Sequence, residues 1–401
     1  MISDKKEKNF YLYICFSTLI LDIQLWTIYL LNNGIESSII GVLETILQIS
    51  ILIFELPSSI LADLFGKRKC LIISKILIIF YCIFLYRLDS IVFIILAFIF
   101  LGISEALASG TEDIIIYDIF KEDSEKSKLF KYNLFYSIIG KIGFIISVIG
   151  GSLFSLSYWN YMYLATIIFQ ILSIYYLLKI RVNNTYIANN KAILKRKYLY
   201  NLKDNIFKKK YIYMTLGIIL FTGSQNIISI FSPLFLYSSN FTILNVSIVT
   251  CIQYLLSCLI TYIFSKKRFQ NKVNIIAILI YIITIFITVL LLLTFKNNSM
   301  FIVLILISIN NILSSCYYPV ATTIINENIG DDIRATMNSV VNFLHTIVVM
   351  ILSPLVGLLI QLNKFHLIFI ISLVMSILTL YIFLSFFNIE NTSNKREDVV
   401  K

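Results

Sequence analysis

Long apolar runs recur from one end of this chain to the other, and they constrain its fold more than any other feature. CLIISKILIIFYCIFLY (from Cys70) carries a single charge, and FIVLILISINNILSSCYYPVATTII (from Phe301) carries none. A run of ~20 such residues, rising ~1.5 Å each as a helix, crosses the hydrocarbon of a bilayer. The chain is 59% hydrophobic and 14% charged over 401 residues. Soluble domains are about 45–50% apolar and about 25% charged, so this excess cannot be hidden in one globular core. The sequence is that of an integral membrane protein.

Hydrophobic segments fall near 10–31, 38–60, 70–88, 91–119, 129–154 and 158–178. After a break they resume near 211–236, 243–265, 273–295, 299–325, 335–361 and 365–387. The break, Lys179 to Lys210, is polar and basic and has no room for a span. The expected fold is all-α and membrane-embedded, with twelve transmembrane helices in two lobes. These are an N-terminal six-helix lobe (1–178), a cytoplasmic basic linker (179–210), a C-terminal six-helix lobe (211–387) and a cytoplasmic tail (388–401). The matching six-and-six hydropathy is the weak internal symmetry of many transporters.

Cation placement orients these helices. With both termini in the cytoplasm, the tails and even-numbered loops hold 28 of the 33 lysines and arginines. The opposite side holds Arg87, Lys296 and Lys364, while Lys75 and Lys141 lie inside helices. The positive-inside rule therefore predicts cytoplasmic N and C termini.

Several function classes drop out. The net charge of +11 follows membrane topology and forms no basic, aromatic-interleaved face for nucleic acid. The six cysteines, Cys15, Cys70, Cys82, Cys251, Cys258 and Cys316, lie in or beside apolar segments without CxxC or metal-ligand spacing, so they read as packing residues. The start, MISDKKEKNF, is basic like a signal peptide, but the apolar stretch continues to Leu31 with no small-residue cleavage site. It reads as a retained first helix. No GxxxxGK[ST] phosphate loop is present, which argues against direct ATP use. His345 and His366 are the two histidines, and neither has a nucleophile, base or metal partner at a suggestive spacing. A membrane-embedded transferase is therefore a remote alternative; no enzyme activity and no cofactor or metal are expected.

One boundary motif is specific. In ELPSSILADLFGKRK (from Glu55) an apolar helix carrying Glu55 and Pro57 breaks into Asp63, Gly66 and the cations Lys67, Arg68 and Lys69. A carboxylate here is suited to accept from free N–H groups at another helix's N-terminus, and Gly66 permits a turn that other residues resist. Ser59-x3-Asp63-Leu64-Phe65-Gly66-Lys67-Arg68-Lys69 resembles the loop 2–3 motif of the major facilitator superfamily, with Ser59 replacing the usual first glycine and Leu64 the usual cation. The run SGTEDIIIYD (Ser109 to Asp118), together with Glu55-Leu56-Pro57, resembles a bacterial subgroup of that superfamily.

The resemblance implies a cytoplasmic gate of Ser59, Asp63, Gly66, Lys67, Arg68, Asp118 and Arg334. In it Asp63 meets the start of the eleventh helix at Arg334 to Ser339, and Lys67 pairs with Asp118. Asp331 and Asp332 suit the positive end of that eleventh helix. It also places helices one, two, four and five around a central cavity. Gly140, Gly143, Gly150 and Gly151 in helix five are similar to the glycine-rich motif of the superfamily's antiporters, although Ile146 and Ser147 stand where that motif has Gly-Pro. The same small residues also serve close helix packing.

Ionisable side chains inside spans are costly and mark pathways. Asp22 lies midway along helix one, near Gln24 and Trp26, and Glu44 lies in helix two. Glu105, Ser109 and Glu112 share a face of helix four by their i, i+4, i+7 spacing. Lys141 is at a similar depth in helix five, so a Glu105–Lys141 pair is expected. Burial favours the protonated form of a carboxyl and a nearby cation favours the ionised form. Asp22, with no cation near it in sequence, is thus the first candidate proton carrier. The second half offers amides and one imidazole: Gln225, Asn226, Gln253, Asn310, Asn311, Asn342 and His345. These either line the path or join helices by hydrogen bonds.

The expectation is a monomeric secondary transporter in a bacterial cytoplasmic membrane, exchanging protons for an amphipathic or drug-like small molecule. Proton-coupled uptake of a small nutrient is the alternative.

Overall fold

The computed structural model describes residues 2–88, 90–109, 111–112, 126–156, 158–180, 209–264, 273–296, 299–329 and 331–400. Thirteen α-helices make up the regular structure among them. They are α1 (Ile2–Ser17), α2 (Trp26–Asn32), α3 (Ser37–Phe65), α4 (Lys67–Arg87), α5 (Ile91–Ala108), α6 (Lys126–Phe154) and α7 (Tyr161–Leu178). There follow α8 (Lys209–Ser238), α9 (Ile243–Phe264), α10 (Val273–Lys296), α11 (Met300–Asn328), α12 (Asp331–Gln361) and α13 (Phe365–Val400). Among the described residues ten helices are long and apolar enough to cross a membrane, and Ile139–Phe154 is a shorter apolar helix.

The outer faces agree with a lipid surrounding. On α9 the exposed residues include Ile252, Leu255, Leu259 and Tyr262, and on α10 Ile275, Leu279, Ile282 and Phe286. A helix that is apolar all round belongs in a core or a bilayer. All four prolines (Pro57, Pro233, Pro319, Pro354) lie inside helices, a placement that membrane helices tolerate.

The chain forms two compact units. One comprises Met1–Ile187 with Asn240–Cys251, the other Ala188–Ser239 with Ile252–Lys401, so that α9 is divided between them. In the first unit α5 packs on α3 and α4, while α7 packs on α1 and α4. Gly102 sits at the α3–α5 crossing, where a Cβ would lie 2.6 Å from Ser50 Cβ and 2.7 Å from the Leu47 carbonyl oxygen. In the second unit α8 packs against α11, α12 and α13. Its core holds Phe221, Tyr281, Tyr317, Phe383 and Phe386, with the Tyr281 and Tyr317 hydroxyls hydrogen-bonded to each other.

The first hydrophobic segment departs from the expected single helix. Helix α1 stops at Ser17 and α2 starts at Trp26, leaving an irregular stretch between them. An interruption at membrane depth must have its freed backbone groups met by protein, and here they are. The Leu21 N–H donates to Thr166 Oγ1 at 3.2 Å. The Thr18 carbonyl accepts from Ser147 Oγ at 3.2 Å and the Ser17 carbonyl from Gln170 Nε2 at 3.4 Å. Thr166 and Gln170 share one face of α7, so that helix presents a polar stripe to the break. Helix α6 presents glycines to it. A Cβ on Gly143 would stand 2.1 Å from Thr18 Oγ1, one on Gly150 3.0 Å from Leu21 Cδ2, and one on Gly151 2.1 Å from the Leu21 carbonyl oxygen. Gly140, by contrast, has open space around it.

Candidate functional site: ionisable residues within the helices

Asp22 lies in the break itself and is buried. Its backbone carbonyl accepts from the N–H groups of Leu25 and Trp26 at 2.7 and 2.9 Å, which starts α2. The Tyr81 hydroxyl of α4 donates to Asp22 Oδ2. Tyr163 of α7 faces the same carboxylate, yet neither Asp22 Oδ1 nor the Tyr163 hydroxyl makes a hydrogen bond with the described protein. Asp22 is therefore held among tyrosines. Trp26 packs edge-on against Phe98, centroids 5.0 Å apart, and Gln24 is half-buried.

Four further ionisable groups lie in the first unit: Glu44 on α3, Lys75 on α4, Glu105 on α5 and Glu112 beyond it. Glu44 is buried and accepts from Gln48 Nε2 at 2.7 Å. Glu105 is exposed on α5. Lys75, buried on α4, forms an ion pair with Glu112 at 3.5 Å. The same Glu112 oxygen accepts the Tyr13 hydroxyl at 2.7 Å, and the Lys75 ammonium lies 5.7 Å from the centroid of the Tyr13 ring. Beside them, Ser74 and Ser104 are hydrogen-bonded at 3.0 Å.

This arrangement corrects one expectation. No ion pair joins Glu105 to Lys141 among the described residues; the ion pair in this region joins Lys75 to Glu112. Lys141 itself is half-buried on α6. Consecutive helices suggested the Lys141 pairing, but α5 packs on α3 and α4. Sequence reasoning noted Lys75 as an intramembrane charge and gave it no role. Tyr13, Tyr81 and Tyr163 were missed because a buried tyrosine looks like ordinary apolar filler.

In the second unit the amides pair with one another. Asn310 Nδ2 donates to Gln225 Oε1 at 2.6 Å, and Gln225 Nε2 to Ser376 Oγ at 3.5 Å. Asn311 Nδ2 reaches Ser232 Oγ at 3.2 Å and Gln253 Oε1 at 3.4 Å, while Gln253 Nε2 donates to Ser308 Oγ at 2.9 Å. Asn226 Nδ2 and His345 Nε2 are 3.5 Å apart, and Asn342 is exposed.

Parts of the boundary motif are described. Gly66, between α3 and α4, has φ +93°, a backbone conformation open to glycine and resisted by other residues. Arg68 donates to the Ile180 carbonyl oxygen at 3.0 Å, where a cation suits the C-terminal end of α7. Lys67 is half-buried. The side chains of Ser59, Asp63 and Arg334, and all of Asp118, lie outside the described residues.

The model of the Major Facilitator Superfamily matches residues 10–345 and, separately, 276–400. A protein of Bacillus subtilis (strain 168), described as the uncharacterized MFS-type transporter YxaM, is 29% identical over 161 residues, which is 39% of each chain. The chain thus matches about two fifths of that relative's length. Among solved structures, the nucleoside transporter NupG superposes with a TM-score of 0.75 at 16% identity, covering 96% of this chain and 100% of that one. The xylose transporter XylE from E. coli, in an inward-open conformation, superposes with a TM-score of 0.69 at 16% identity, covering 96% and 95%. A D-xylose-proton symporter gives a TM-score of 0.72 at 13% identity, covering 94% and 97%. Identities this low speak for the fold, whereas the superfamily model spans most of the sequence. The chain belongs to the major facilitator superfamily.

Proposed function

We propose that this protein is a secondary active transporter that exports an amphipathic or drug-like small molecule in exchange for protons, by alternating access. The observation that carries this reading is Glu105. It is an exposed carboxyl in an otherwise apolar membrane helix. Such groups are retained where they face a water-filled path or a substrate. A carboxylate there can hold the cationic end of a solute, and release of a proton from another carboxyl of the same lobe makes the cycle an exchange. The pathway comprises Asp22, Gln24, Trp26, Glu44, Glu105, Glu112 and Lys141 in the first half, and Gln225, Asn226, Asn310, Asn311 and His345 in the second. Asp22, buried and bonded to Tyr81, carries the proton.

In this reading the interrupted α1–α2 pair counts as one span and α6 as another. With the ten other long helices that makes twelve, in lobes 1–178 and 211–387. The 28-to-3 division of cations supports cytoplasmic termini, a cytoplasmic linker and a bacterial cytoplasmic membrane as the location. Ser59, Asp63, Gly66, Lys67, Arg68, Asp118 and Arg334 form the cytoplasmic gate, and the working unit is a monomer. Proton-coupled uptake is the second reading, favoured by the structural likeness to a D-xylose-proton symporter.

The test uses everted vesicles energised by a proton gradient, comparing wild type with Asp22→Asn across a panel of amphipathic cations. Collapse of the pH gradient on adding a compound, absent in the variant, is the expected result. A wild type indifferent to every compound removes support for export and makes nutrient uptake the leading reading.

A further inference from the structure

In the first unit α1 and α6 lie side by side, touching at one level and parting at another. They meet where a Cβ on Gly143 would stand 2.1 Å from Thr18 Oγ1 and where Ser147 Oγ donates to the Thr18 carbonyl at 3.2 Å. One turn earlier on α6, Gly140 has open space around it. The gap between the helices is an open groove of about 560 Å³, a size in the ~300–1,000 Å³ range of small-molecule sites. Two stripes wall it: Lys8, Leu12 and Cys15 from α1, and Ile139, Ile142 and Ile146 from α6. Their spacings of three or four residues put each trio on one helix face. Ile142 and Ile146 are 52% and 48% exposed, so this apolar wall is left uncovered. Lys8 is exposed and is the one charged side chain among the described residues that line the groove. It stands just before the first apolar segment, so its stem can follow the wall while the ammonium stays at the membrane surface.

We propose that this groove binds an anionic phospholipid from the leaflet around the start of α1, its phosphate on Lys8 and an acyl chain against Leu12, Ile142 and Ile146. The argument is one of complementary polarity. An apolar trough that ends in a cation at the membrane surface matches a ligand with an apolar chain and an anionic head. Basic pockets between membrane helices bind acidic headgroups for this reason. A zwitterionic lipid fits the trough equally well, but its own cation offsets the phosphate, so Lys8 selects by headgroup charge. The far end of the groove is closed by the Gly143–Thr18 contact, at the first residue beyond α1. The bound chain therefore fills the space between α1 and α6 up to the break that carries Asp22. This inference goes beyond the transport reading and stands without it.

The test is native mass spectrometry of the purified protein, titrated in detergent with dioleoylphosphatidylglycerol or dioleoylphosphatidylcholine. Wild type is expected to bind the phosphatidylglycerol more tightly. Lys8→Gln should weaken phosphatidylglycerol by about fivefold, the effect of one cation near anionic lipid, and leave phosphatidylcholine unchanged. Lys8→Arg should keep the preference. Ile142→Trp fills the groove from an exposed position, which spares the core, and should weaken both lipids. Equal affinity of wild type for the two lipids overturns the proposal, as does phosphatidylglycerol binding that survives both Lys8→Gln and Ile142→Trp. A dimer that Ile142→Trp disrupts would show that a second copy of the chain covers the groove, and would overturn it too.

Discussion

Gly151 lies directly against the carbonyl oxygen of Leu21, so close that a Cβ on the glycine would stand 2.1 Å from it. The contact joins α6 to the break that carries Asp22 one residue later. Gly151→Ala forces backbone apart and should cost about 1–3 kcal/mol, the range for overpacking. Gly140→Ala, with open space around it, should cost little. Thermal unfolding of the two purified variants in detergent checks the contrast; equal losses would mean that α6 does not clasp the break.

The two tyrosines around Asp22 should behave differently. Tyr81 donates to the carboxylate, and hydrogen bonds to charged groups are worth about 1.5–3 kcal/mol. Tyr81→Phe should lose stability on that order. Tyr163→Phe removes a buried hydroxyl with no hydrogen bond and should be near neutral. Denaturant titration of both variants is the check.

The amide pairs of the second unit are graded by their geometry. Asn310 and Gln225 meet at 2.6 Å in a fully buried place, and Asn310→Leu leaves the Gln225 oxygen without that donor. Interhelical hydrogen bonds in membranes average about 0.6 kcal/mol and reach about 1.7, and this pair should fall at the upper end. Asn226→Ala, with its partner His345 at 3.5 Å, should fall at the lower end in the same assay.

Gly66 holds φ +93° between two helices. Any other residue there is strained by about 1–3 kcal/mol, so Gly66→Ala should slow transport by disturbing the α3–α4 corner. Initial rates at matched protein levels test this; a wild-type rate would show that the corner relaxes without consequence.

The long apolar helices were legible because a bilayer imposes one simple rule of length and hydropathy, which α10 and α11 obey without ambiguity. The break in the first span was not legible, because Thr18 to Leu25 contains neither glycine nor proline. Its causes lie on the partners: the glycines of α6 and the polar stripe of Thr166 and Gln170 on α7. Of these, the glycines were visible in sequence, and their contacts with Thr18 and Leu21 account for Gly143, Gly150 and Gly151 as packing residues. The charges were visible one by one, but their partners were not. How α4 packs decides that Lys75 pairs with Glu112, and that is not written in the spacing of the charges. The amides of the second half were likewise visible as polar residues in apolar helices, while the Asn310–Gln225 pairing depends on how α11 meets α8.

The most direct test of proton-driven solute exchange is ethidium accumulation by purified protein in proteoliposomes under an imposed pH gradient. The account predicts that wild-type protein concentrates ethidium above its equilibrium level while the gradient lasts, that a protonophore abolishes this, and that Glu105→Gln does not concentrate it. Ethidium that merely equilibrates, at a rate indifferent to the gradient and to Glu105→Gln, would contradict it.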